Sequence, residues 1–148
     1  FADMKERYPR ATFTQQAGLV AAKTAADKGK LDDARASLAW VADGSGDVEY
    51  RSIARLRLAG ILLDEKKYAE ALKTLDGVDA EEFAPLAADR RGDVLLAEGK
   101  TEEARAAYQK AWDAMDPKVD YRRLIEAKLN VLGAQPAASA ASGAGVVK

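Results

Sequence analysis

The chain has 148 residues, 23 basic and 24 acidic, for a formal net charge of −1, and it contains neither His nor Cys. A chain of this length fits one domain that buries roughly 68–70% of its unfolded surface. The balanced charge gives no positive field for a phosphate backbone or an anionic membrane, which disfavours nucleic acid as a partner. The missing imidazoles and thiols exclude Ser-His and Cys-His nucleophiles, His- or thiolate-ligated metals and disulfides.

Abundant Ala, few aromatics and 32% charged residues favour helices with charged outer faces. In chain order, Phe1 to Pro9 comes first, with an aromatic and a Pro eight residues apart. It reads either as the tail of an earlier repeat's second helix or as an isolated short helix before Pro9. The start at Phe1 rather than Met gives the expectation that upstream sequence, with room for a signal or anchor, has been removed. No run of about 18 apolar residues occurs that would span a bilayer.

Three similar segments follow: Gly29-Lys30-Leu31-Asp32-Asp33-Ala34-Arg35, Lys66-Lys67-Tyr68-Ala69-Glu70-Ala71-Leu72 and Gly99-Lys100-Thr101-Glu102-Glu103-Ala104-Arg105. Each reads as a turn and a helix start, with a small Ala and, four residues on, Leu38, Leu75 or Tyr108 to fill the crossing. Ala34 and Ala71 are 37 residues apart, Ala71 and Ala104 33, and Asp43-Gly44-Ser45-Gly46-Asp47 takes up the difference as a turn-rich connector. Twelve residues before each Ala stand Ala22, Ala59 and Gly92, the small residues expected where a unit's two helices pack most closely. Asp79-x-x-Glu82 resembles a capping box, but Pro85 would then fall inside the helix. A short turn is expected first, with the helix starting near Pro85 at its tolerated first position. Asp116-Pro117 ends the third unit. In the final helix Tyr121, Leu124, Ile125, Lys128, Leu129 and Leu132 share one face, while Arg122, Arg123, Glu126 and Asn130 face water, as in the cap of a repeat array. Beyond Gly133 the Ala, Ser and Gly content reads as a flexible tail ordered only by contacts, within the molecule or with a neighbour.

The fold class expected is all-α: a right-handed tetratricopeptide-repeat solenoid of helix hairpins, residues 1–132, with a truncated first repeat, a C-terminal capping helix and a tail over 133–148. The period, the Lys67-Tyr68-Ala69-Glu70-Ala71-Leu72 and Gly99-Lys100-Thr101-Glu102-Glu103-Ala104 motifs and Tyr108 resemble the tetratricopeptide superfamily. Arg10-Ala11-Thr12-Phe13, Leu56-Arg57-Leu58-Ala59 and Ala88-Asp89-Arg90-Arg91-Gly92-Asp93-Val94-Leu95-Leu96 look like the YfgM-type ancillary subunit of the bacterial Sec translocon. That resemblance covers roughly residues 1–132. It implies an inner-membrane protein with one transmembrane helix, a periplasmic repeat domain, and translocon subunits or a membrane-anchored prolyl-isomerase-type chaperone as partners.

Carboxylate pairs Asp32-Asp33, Glu81-Glu82 and Glu102-Glu103 stand at helix starts, where the macrodipole explains them without catalysis. No cofactor and no metal are expected. In such arrays the first helix of each unit lines a groove, which the register fills with Gln16, Leu19, Lys23 and Asp27, then Ile53, Leu56, Gly60 and Leu63, then Leu86, Asp89, Asp93 and Leu96. These residues either meet a partner or pack within the fold. As a groove they are apolar in the middle and acidic toward the third unit, which suits a segment with apolar anchors and basic flanks and not a C-terminal carboxylate. Arg51, Arg55, Arg57, Arg90, Arg91, Arg122 and Arg123 either form a basic patch or pair with nearby Asp47, Glu49, Asp89, Asp93, Asp120 and Glu126 as a salt-bridged surface, the reading favoured here. Trp40 and Trp112 are expected to bury against the next unit. The function expected is a non-catalytic protein-binding scaffold; the alternative is a self-association module acting through the face at Phe1 or the tail.

Overall fold

The computed structural model describes residues 1–133. Among them no strand occurs, and the helices are α1 (Ala2–Arg7), α2 (Thr12–Asp27), α3 (Leu31–Gly44), α4 (Val48–Asp64), α5 (Tyr68–Asp76), α6 (Ala84–Ala97), α7 (Thr101–Ala114) and α8 (Tyr121–Val131). Two compact units result, one spanning Phe1–Phe83 and one beginning at Ala84. The first holds hairpins α2–α3 and α4–α5 behind α1. The second holds hairpin α6–α7 and then α8. The expected tail lies, from residue 134 on, outside the described residues.

Each hairpin turns in the same way. Gly29, Lys66 and Gly99 take left-handed backbone with φ of 73°, 61° and 86°. The next residue donates back to the end of the first helix, Lys30 to Ala25, Lys67 to Leu62 and Lys100 to Leu95, at 2.8, 2.8 and 2.9 Å. Those three lysines precede the second helices with φ near −90° and ψ of 70°, 67° and 69°. Ala34, Ala71 and Ala104 follow, each with 0% exposure. Three identical backbone passages ending on three sealed alanines make the repeat a structural fact.

Size is traded across each crossing. Ala22 and Ala59 are buried, as are Leu38 and Leu75 four residues beyond the marker alanines; in the third hairpin Tyr108 takes the large place and Gly92 the small one. A Cβ on Gly92 would lie 2.4 Å from the Tyr108 ring, so only glycine admits it.

Local departures from expectation have physical causes. Helix α3 runs through Asp43 and Gly44, which leaves only Ser45 to Asp47 as connector. Asp47 then caps α4, its Oδ1 accepting from the Glu49 N–H at 2.8 Å and the Tyr50 N–H at 3.3 Å. The Asp79–Glu82 segment is not a capping box: Asp79 accepts from Arg51 Nη2 at 2.9 Å and from Ser52 Oγ at 3.3 Å, while Glu81–Phe83 forms one 3-10 turn before α6. Pro85 sits second in α6, where its lack of an N–H costs nothing. Arg51 and Arg55 therefore do not turn to Asp47 and Glu49. They satisfy helix-end carbonyls, Arg51 that of Ser45 at 3.1 Å and Arg55 those of Ala42 at 3.2 Å and Gly77. As expected, Trp40 packs half-buried on the cluster that α4 joins through Ala54, and it also meets the Phe1 ring edge to face at 5.4 Å; Trp112 is buried beneath α8, with the Arg122 guanidinium 3.7 Å from its ring centroid.

Candidate partner-binding surface

Of the residues expected along a groove, those in the first unit divide by helix face. Gln16 and Lys23 are exposed on α2, and Gln16 Nε2 donates to the Tyr50 hydroxyl at 2.7 Å. Asp27, the last residue of α2, is exposed too. Leu19 departs from the expectation. At 8% exposure it belongs to an apolar cluster with Ala22, Leu38, Val41, Ala42 and Ala54, because the next hairpin's first helix lies over it. Ile53 is half-buried against the same cluster. Leu56, Gly60 and Leu63 run along α4 at spacings of four and three, so they share a face, and all are half-buried. A Cβ on Gly60 would meet nothing within 4 Å, so this stripe has open space at its centre.

In the second unit, Leu86 is half-buried and Leu96 is 39% exposed on α6. Asp89 is the second departure, for it has no exposed surface at all. Its carboxylate accepts from Tyr121 Oη at 2.6 Å, Lys128 Nζ at 2.9 Å and Arg90 Nη1 at 3.1 Å. Asp93, one turn on, accepts from Tyr108 Oη at 2.7 Å and from Lys128 Nζ at 2.9 Å. One ammonium thus bridges two carboxylates and, with Tyr121 and Arg90, satisfies the oxygens of the buried Asp89. Burial alone would lower the Lys128 ammonium, but hydrogen bonds and charge from Asp89 and Asp93 outweigh it and hold Lys128 above the ordinary lysine value. Burial, reinforced by Asp93, pushes the Tyr108 phenol well above its ordinary value, and burial with the Asp89 hydrogen bond raises Tyr121. These two acidic residues therefore hold the closing helix instead of presenting acid to a partner.

The cap differs in two other respects. Ile125 and Leu129 are fully buried, but Leu124, expected on the same face, is 47% exposed, and Arg122, expected in water, lies on Trp112 and donates to its carbonyl at 3.2 Å. Sequence reasoning also missed an exposed apolar group on the first unit, Tyr8, Phe13 and Val20 at 56%, 51% and 65%. The hydroxyls of Tyr108 and Tyr121 are hidden in a sequence pattern that uses both rings as apolar filling. Their signal was Lys128, a lone cation within an apolar stripe, with an Asp pair one turn apart on another helix. Among the described residues no acidic group is placed to hold a metal ion, and no helix is long and apolar enough to cross a membrane.

Left-handed hairpin turns, sealed alanines and small-for-large crossings repeated at this period define tetratricopeptide architecture. The chain belongs to that family, for the tetratricopeptide repeat-like domain matches residues 1–134. It is similar to an ancillary SecYEG translocon subunit of Neisseria gonorrhoeae, 36% identical over 129 residues, covering 87% of this chain and 62% of that protein. A second similar protein, of the same name, from Escherichia coli K12, is 35% identical over 98 residues, covering 66% of this chain and 48% of its own. The chain thus spans less than two thirds of the length of either relative. No solved structure gives a significant match.

Proposed function

We propose that this domain is a non-catalytic scaffold that holds other proteins on the first helices of its hairpins. Partly exposed apolar residues, Leu56 and Leu63 on α4 and Leu86 and Leu96 on α6, would serve as anchors, with Gln16 and Lys23 as the polar edge. The observation that carries this reading is the open stripe at Leu56, Gly60 and Leu63, half-buried apolar surface with empty space above Gly60. Similarity to ancillary SecYEG translocon subunits supports a place beside that translocon. By the same resemblance the repeats would stand in the periplasm, below an inner-membrane anchor, with translocon subunits or an anchored chaperone as partners. Pull-down with full-length, membrane-anchored protein tests it: Leu56→Asp and Leu63→Asp should abolish capture of partners while the circular dichroism of the domain is kept. Wholesale unfolding by either change would show those leucines to be core and remove the proposed anchors.

A second reading, self-association, has one observation in its favour, the exposed Tyr8, Phe13 and Val20 on α1–α2. Sedimentation over a range of concentrations separates the two, since a tight dimer lost on Val20→Asp would favour self-assembly over capture of a different protein.

A further inference from the structure

Leu19, Leu56 and Asp89 are equivalent, each three residues before the small residue of its hairpin crossing at Ala22, Ala59 and Gly92. In the first hairpin this position is an apolar seat. Leu19 lies in an apolar cluster that α4 joins through Ala54, with Tyr50, Ile53, Leu58 and Ile61 of the same helix packed against it. In the third hairpin the same seat holds a carboxylate with no exposure, and the covering helix, α8, brings a phenol and an ammonium onto it, Tyr121 at 2.6 Å and Lys128 at 2.9 Å. Helix α8 otherwise covers this hairpin as a first helix would, with Ile125 and Leu129 fully buried.

From this we infer that Asp89 and Lys128 act as a specificity lock, making the third hairpin accept its own α8 and refuse the apolar first helices of other hairpins, including those of a second copy of this chain. A helix with the α4 pattern set over Asp89 would leave its buried carboxylate with Arg90 alone, without the Tyr121 and Lys128 hydrogen bonds that α8 supplies. Repeat proteins need such a device, because an unprotected end carrying the same apolar seat would accept any copy and grow without limit. Lys128 is a positioning residue here. Asp93 reinforces it from one turn away, and Tyr108 keeps Asp93 aimed at 2.7 Å.

The lock is tested in the full chain by hydrogen exchange of residues 121–131 and by competition with two synthetic peptides, residues 117–133 and residues 47–66. In Lys128→Leu, exchange across α8 should rise at least about tenfold while α2 to α4 are unchanged. The loosened site should bind the 117–133 peptide at least about tenfold more tightly than the 47–66 peptide. Lys128→Arg should restore protection. If Lys128→Leu unfolds α6 and α7 as well, the double change Asp89→Leu with Lys128→Leu decides. It should keep α8 protected, now on an apolar seat, and show no preference for the 117–133 peptide over the 47–66 peptide. Unchanged exchange in Lys128→Leu, equal binding of the peptides by that variant, or a double variant that still discriminates would each overturn the proposal.

Discussion

Two glycines near the middle of first helices illustrate how much one methyl group decides. At Gly92 an added Cβ would press on the ring of Tyr108, which is 1% exposed and tied through its hydroxyl to Asp93, so the ring has nowhere to go. At Gly60 the same atom would meet nothing within 4 Å. Alanine is the better helix former by about 1 kcal/mol in both places, and overpacking costs about 1–3 kcal/mol in only one. Gly60→Ala should therefore stabilise the domain by about 0.5–1 kcal/mol, and Gly92→Ala should destabilise it by about 1–2 kcal/mol. Urea unfolding of the two variants beside the parent measures the opposite signs, and equal shifts would contradict the packing described at the third crossing.

At the scale of the element, α8 stands out among the described helices because a fully buried carboxylate, Asp89, holds it, and this fixes how it responds to pH. Lys128, Tyr108 and Tyr121 all have folded-state values raised above their ordinary ones. A raised value means that folding favours the protonated form. The stabilisation is thus fully present below the unfolded values, about 10 for Tyr and 10.4 for Lys, and is lost as pH climbs through the folded ones. Titration followed by tyrosinate absorbance and far-ultraviolet circular dichroism should show Tyr108 and Tyr121 ionising above the ordinary tyrosine range, together with a loss of helix. A single tyrosine step with helicity intact would contradict the network. The same helix shows what sequence reveals and what it hides. The hairpins were legible because turn glycines, marker alanines and crossing residues repeat, and each has only one steric use. A face, by contrast, says which residues point together and not what lies across from them. Leu19 and Asp89 share the register of groove residues, yet a following helix covers both. Leu124 lies on the edge of an apolar stripe whose buried part, among the described residues, is centred on Ile125 and Leu129. Arg51 and Arg55 found helix-end carbonyls and Asp79, 24 or more residues along the chain from either arginine, where counting to the nearest acid had led elsewhere.

Over the whole molecule, the described surfaces combine repeated hairpins with a limited set of open apolar positions, which suits a domain that holds another chain. The acidic character expected toward the third hairpin is largely spent on α8. The surface offered there is more apolar than the sequence implied, with Leu86 and Leu96 as its features. Basic flanks on a partner would thus contribute less than apolar anchors do. The most direct test places a photo-crosslinking residue at position 60 of the full-length protein in living cells, with one at exposed Lys110 as control. A discrete adduct with a different protein from position 60, absent from position 110 and lost on Leu56→Asp, is the predicted result; adducts from position 110 alone, or none from position 60 at any exposure, would contradict a partner held on the first helices.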